Sequence, residues 1–158
     1  MADAAEVMAG LGGPDVAPLL DGATVSVLTP NMRGLEAALA AGAQEVVVFG
    51  AASEAFSQKN INCSIAESMA MFAPVVAAAH AAGVATRGAI SCSVGCPYEG
   101  DVAPQKVGEV ARMMQAMGVQ RIAVADTIGV GTPRKGEAAM AAALAHYDVA
   151  HVAGHFHD

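Results

Sequence analysis

Arg121-Ile122-Ala123-Val124-Ala125-Asp126-Thr127-Ile128-Gly129-Val130-Gly131-Thr132-Pro133 carries one complete passage from strand to helix. Arg121–Ala125 reads as a strand running into Asp126. Glycines and Thr132 then turn the chain. Pro133 suits the first position of a helix, where no backbone N–H is needed, and the helix extends to about His146. A strand that feeds a helix, with its polar residues at the strand's carboxyl end, is the repeating half of a βαβ unit.

The same alternation continues outward. Ala23–Leu28 is β-branched and apolar, closed by the turn Thr29-Pro30-Asn31, and a helical stretch over 35–41 ends at Gly42. Glu45–Phe49 is a buried strand ending at Gly50. Ser64 with Glu67 three residues on forms a capping box, and Ile65, Met69, Phe72 and Val76 recur at helical spacing. Pro74 lacks a backbone donor and predicts a kink or restart before Gly83. Ala85–Ile90 is the next strand and Ala103–Met117 the next helix. A last apolar run (Val149, Ala150, Val152, Ala153) reads as a strand running into His155-Phe156-His157-Asp158. Five buried strands apolar on both faces, separated by helices, predict an α/β fold with a parallel sheet.

Composition removes several function classes. Hydrophobic residues make up 54% and charged residues 15%, which excludes a solvating, disordered chain. No apolar run reaches the ~20 residues of a membrane span. Eight Lys+Arg against fifteen Asp+Glu give a net charge of −7, so a nucleic-acid backbone finds no basic stripe. Asp3 and Glu6 stand where a targeting segment would be basic, and the expected compartment is the cytoplasm. Cys63, Cys92 and Cys96 are an odd set without a C-x-x-C pair, and read as free thiols.

The polar residues collect after the strands' carboxyl ends, where ligands bind in barrels and open α/β sheets alike. His155 and His157, two apart on a strand, point to one face. They read either as satisfied strand histidines or as two ligands of one divalent cation, with Asp126 and the following acidic residue on the same rim. Asp126 reads equally as a turn aspartate or as a ligand, base or substrate anchor. Gly129-Val130-Gly131 lacks the remaining residues of a nucleotide loop, and its glycines are read as admitting close backbone approach. Cys92 and Cys96 read as small buried residues. Arg87, inside an apolar strand, must be paired or face a ligand. His80, His146 and His151 are read as solvated or structural.

Ser26–Asn31 (SVLTPN), Phe49–Glu54 (FGAASE), Lys59–Ser64 (KNINCS), Gly95–Gly100 (GCPYEG) and Asp126–Pro133 (DTIGVGTP) together resemble the 3-hydroxy-3-methylglutaryl-CoA (HMG-CoA) lyase family, collinearly over nearly the whole chain. The resemblance implies a partial TIM (β/α)8 barrel whose five strands are the third to seventh of the family barrel. It implies that His155 and His157 ligate Mg²⁺ or Mn²⁺, with His155 also close to the reacting carbons. Asp126 would orient the substrate, and Arg87 would face the same pocket. Lys59 and Asn60 would lie on a loop near the CoA moiety. The implied substrate is a small-molecule acyl-CoA, cleaved to acetoacetate and acetyl-CoA in leucine breakdown, with no nucleic-acid or membrane partner and homo-oligomerisation left open.

The chain departs from the family in carrying neither the arginine-aspartate pair of the family's first strand nor the cysteine loop and asparagine ligand of its last part. A whole barrel takes roughly 250 residues, so residues 1–158 are expected to form one incomplete domain, truncated at both ends relative to the family. Two alternatives accompany the lyase reading: a related metal-dependent condensing synthase of the isopropylmalate or homocitrate type, and an inactive remnant or interaction module. An open five-stranded sheet is further expected to be unstable or to associate through its edges.

Overall fold

The computed structural model describes residues 3–157. Its strands, numbered in chain order, are β1 (Ser26–Leu28), β2 (Glu45–Ala51), β3 (Ala85–Ser91), β4 (Gly95–Cys96), β5 (Gly100–Asp101), β6 (Arg121–Ala125) and β7 (Val152–His155). The helices are α1 (Ala4–Leu11), α2 (Met32–Ala40), α3 (Glu54–Ile61), α4 (Ile65–Ala81), α5 (Pro104–Ala116) and α6 (Pro133–Leu144). One five-stranded sheet runs in the order β1-β2-β3-β6-β7 with every pairing parallel. The strands are laid side by side in chain order, without the reversal that marks a doubly wound sheet. That is the winding of a (β/α) barrel, here five units of it.

Alternation along the strands separates two faces. Val46, Val48, Ile90, Ile122 and Val124 point to the helices and are fully buried or nearly so. They meet Phe72, Val75 and Val76 of α4 and Val107, Val110 and Met114 of α5 in one core. Two glycines notch this face. A Cβ at Gly50 would stand 2.6 Å from the Met69 methyl carbon, and one at Gly88 would stand 2.4 Å from the Met114 sulfur. The missing side chains are therefore replaced by thioether tips from α4 and α5.

α4 does not restart at Pro74 but runs through it to Ala81. Pro74 and Ala70, whose carbonyl loses its partner there, are both exposed residues. The first strand is shorter than expected, beginning at Ser26, and α2 opens earlier, at Met32, because the Asn31 side chain accepts from the Gly34 amide at 2.9 Å. Val149–His151 forms a turn of 3₁₀ helix instead of the start of β7. Among the described residues no single helix is long and apolar enough to cross a membrane.

Two elements escape the sequence reading altogether. Lys59 and Asn60 lie not on a loop but in the last turn of α3, whose only buried residue is Ser57. β4 and β5 pair antiparallel as a hairpin inside the Ser91–Gly100 segment.

Candidate active site at the carboxyl rim

The carboxyl ends of β6 and β7 lie side by side, with Ala125 in register with His155. The Asp126 amide donates to the His155 carbonyl at 2.9 Å, extending the ladder by one bond. Beyond His155, Phe156 turns back over Gly154 and Gly136, where added Cβ atoms would meet its ring at 2.5 and 3.3 Å. With that ring packed toward α6, the imidazoles of His155 and His157 approach each other. Their Nε2 atoms are 3.1 Å apart and the rings meet edge to face at 75°.

That spacing is a hydrogen-bond distance between the two rings, and it is also the spacing two ligands of one cation would take. Two imidazole nitrogens bound at about 2.0–2.1 Å to one ion, at angles between octahedral and tetrahedral, stand roughly 2.9–3.4 Å apart. The pair supplies only part of a coordination sphere. Among the described residues no group of three or more His, Cys, Asp or Glu side chains could hold a metal ion. Asp158, the acidic residue expected to join the rim, lies outside the described residues.

Asp126 is 1% exposed. Its Oδ1 accepts from the Val130 amide at 3.2 Å and its Oδ2 from the Gly131 amide at 2.7 Å. The carboxylate thus ties down its own loop, which realises the turn role left open by the sequence. Each oxygen retains further acceptor capacity, and with His157 the residue lines a cavity of about 360 Å³. Gly131 is needed there, since a Cβ would come within 2.7 Å of Oδ2. Gly129 adopts φ +66° and lies against His157. Gly131 admits the close approach that the sequence predicts, whereas a Cβ at Gly129 would meet His157 only at ordinary contact distance.

Arg87 is not brought to this rim. It pairs in register with Arg121, whereas His155 pairs with Ala125. Four strand positions, roughly 13 Å, separate the two levels. Its guanidinium binds Glu45 at 3.0 Å, and Glu45 is wholly buried, with Arg121 3.7 Å from its other oxygen and the Ser26 hydroxyl donating at 2.6 Å. Of the two readings for an arginine in an apolar strand, the structure realises the paired one. The partner sits at the head of a different strand, which spacing along Arg87's own strand does not reveal.

The loop after β3 closes the rim on its other side. Cys92 is buried with φ +57°, its amide donating to the Thr127 hydroxyl at 2.8 Å, and burial first, then the neighbouring Cys96, pushes its thiol up to about 12. Cys96 differs. Burial acts to raise it, but the Ser53 hydroxyl at 3.0 Å and the amides of Tyr98 and Glu99 donate to its sulfur and hold it below the ordinary thiol value. Glu99 also accepts from the Ala55 amide of α3 at 2.9 Å. A Cβ at Gly95 would strike Val130 at 2.5 Å, so hairpin and Asp126 loop pack directly together. Ser53, Thr127 and Glu99 are site-shaping residues that the sequence reading missed. The only signal for them was their place after strand ends.

Comparison with known proteins agrees with this architecture. A family model described as HMGL-like matches residues 16–158. The mitochondrial hydroxymethylglutaryl-CoA lyase of Bos taurus is 49% identical over the whole chain, which covers 47% of that protein. A 3-hydroxy-3-isohexenylglutaryl-CoA/hydroxymethylglutaryl-CoA lyase of Pseudomonas aeruginosa is 49% identical, with 51% of it covered. The crystal structure of the HMG-CoA lyase from Brucella melitensis superposes with a TM-score of 0.91 at 47% identity, over all of this chain and 54% of that one. The chain spans about half the length of the curated relatives it matches.

Proposed function

The chain belongs to the HMGL-like family, and on that premise we propose that it supplies the third to seventh strand units, as one domain, of a barrel that cleaves HMG-CoA to acetoacetate and acetyl-CoA. The observation that carries the reading is the 3.1 Å approach of the His155 and His157 Nε2 atoms at the carboxyl end of β7, beside buried Asp126. The two imidazoles hold a divalent cation, Mg²⁺ or Mn²⁺, together with oxygen ligands from outside the pair. Such a cation, when bound, lowers the pKa of a tertiary hydroxyl and stabilises the charge that develops on cleavage.

The reaction asks three things of the surrounding residues. The hydroxyl proton must leave to a base, the C2–C3 electron pair must pass to the acetyl-CoA fragment, and that enolate must be protonated. His155, on the interior face of β7, stands next to the reacting carbons. Asp126 orients the substrate from a loop that its own carboxylate has made rigid, so little reorganisation accompanies the reaction. Lys59 and Asn60, exposed on the last turn of α3, meet the CoA portion, where an ammonium suits phosphate as a point charge.

A graft tests the proposal. Residues 3–157 replace the matching span of the Pseudomonas aeruginosa lyase, and the chimaera is incubated with HMG-CoA and Mg²⁺. Acetoacetate release, lost on His155→Ala, is the expected result. A cooperatively melting chimaera that releases none, or that only condenses acetyl-CoA with a 2-oxo acid, refutes the lyase reading.

A further inference from the structure

We infer that the β4–β5 hairpin, acting through Glu99, positions α3 and thereby sets the affinity for CoA; the inference rests on the CoA role proposed above for Lys59 and Asn60. α3 is eight residues long, a length at which an isolated helix does not hold in water. It has little apolar anchorage, since Ser57 is its only buried residue. What holds it is polar and sits at its ends. The Glu99 carboxylate accepts from the Ala55 amide at 2.9 Å, from 44 residues away in the chain. The Ser53 hydroxyl accepts from the Phe56 amide at 3.0 Å and donates onward to Cys96 at 3.0 Å. The Tyr98 ring stands 6.3 Å from the Phe56 ring. At the other end the Ser57 hydroxyl donates to the Cys63 carbonyl at 2.8 Å.

The first turn of α3 is therefore capped both by its own Ser53 and, through Glu99, by a different part of the fold. A carboxylate at a helix N-terminus is favourable both as an acceptor and against the helix dipole. The hairpin itself is keyed to the Asp126 loop through Gly95 and Val130. Glu99 thus ties the helix that carries Lys59 and Asn60 to the rim that carries Asp126 and His155. It is a positioning residue with no required contact to the ligand.

The test compares the 158-residue chain with Glu99→Ala, Glu99→Gln, Lys59→Ala and the Glu99→Ala/Lys59→Ala double variant, using CoA itself as the calorimetric probe and amide exchange as a local readout. Loss of one charged cap predicts about tenfold faster exchange across α3 and about five- to tenfold weaker CoA binding in Glu99→Ala, with β6 and β7 amides unaffected. Glu99→Gln keeps an acceptor and recovers most of both. The double variant is less than additive, because Lys59 contributes less from a displaced helix. If Lys59→Ala weakens CoA binding while Glu99→Ala changes neither binding nor α3 exchange, the positioning inference is wrong and the CoA reading survives. If CoA binding is indifferent to Lys59 and Glu99 alike, the CoA reading itself falls, and the inference with it. Weaker binding in Glu99→Ala without faster α3 exchange also overturns it, since Glu99 then acts on the ligand directly.

Discussion

Replacing Gly131 by alanine isolates how the Asp126 loop is held. Gly131 does not occupy the left-handed region, so the new Cβ meets no backbone strain and its effect is steric. The Cβ would stand 2.7 Å from Asp126 Oδ2 and 3.2 Å from a Val94 methyl. The carboxylate is 1% exposed and fixed by two amides, so it has nowhere to swing without breaking one of them. A hydrogen bond to a charged acceptor contributes about 1.5–3 kcal/mol. Alanine returns about 0.4–1 kcal/mol by restricting the unfolded chain. The balance is a loss of about 1–2 kcal/mol, or a urea midpoint lower by roughly half to one molar at a slope of about 2 kcal/mol per molar. Urea denaturation followed by circular dichroism measures it. An unchanged or higher midpoint would mean that the chain entropy term stands alone, and that the Gly131 amide bond is not what limits the loop.

The remaining expectations are simpler. Arg87→Met, which leaves Glu45 buried with only Arg121 at 3.7 Å and Ser26, should cost about 2–3 kcal/mol, below the 3–5 of a fully buried pair because Arg87 is partly exposed; a neutral result in the same urea assay refutes the pairing. Asn62, the left-handed C-cap of α3 at φ 56°, should accept glycine with a gain of a few tenths of a kcal/mol and lose about 1 kcal/mol to valine; equal midpoints for the two variants would count against it. Cys92 has its folded pKa raised from 9.0 to about 12, so the folded chain holds its proton longer than the unfolded one. Stability from this group is intact below pH 9 and declines as pH rises toward 12. Cys92→Ala should flatten that alkaline slope, and an unchanged slope would assign it elsewhere. Finally, Co²⁺ titrated into the chain should show an absorption band that either His155→Ala or His157→Ala abolishes; binding that survives both substitutions places the cation elsewhere.

What the sequence disclosed and what it hid follow from range. The strands declare themselves by short, mostly apolar runs of their own, although only the helix-side face is closed here and neither β1 nor β7 carries a buried residue. The winding direction of the sheet then follows from the alternation with helices. The histidine pair is legible as an i, i+2 spacing, although only His155 lies in β7 and His157 follows just beyond it. α3 is hidden because Glu54–Ile61 has no apolar face to give a period, and its caps come from Glu99 and Ser53. The β4–β5 hairpin is two residues wide, too short for any alternation. The Arg87 ion pair is not legible because its partner, Glu45, opens a neighbouring strand, and only register brings the two together.

The glycine notches at Gly50 and Gly88 give the sheet a chemical vulnerability. Helices α4 and α5 are keyed there by the thioethers of Met69 and Met114 rather than by branched carbon. Thioethers tolerate an irregular fit, but they oxidise. While the chain is folded, Met114 is wholly buried and protected. Once it opens in the presence of peroxide, a sulfoxide adds an oxygen and a dipole to a sulfur that packs where a Gly88 side chain would stand, a close fit with little room for either. Each opening under oxidising conditions is thus an opportunity for a change that blocks reclosure, and unfolding becomes one-way until the sulfoxide is reduced.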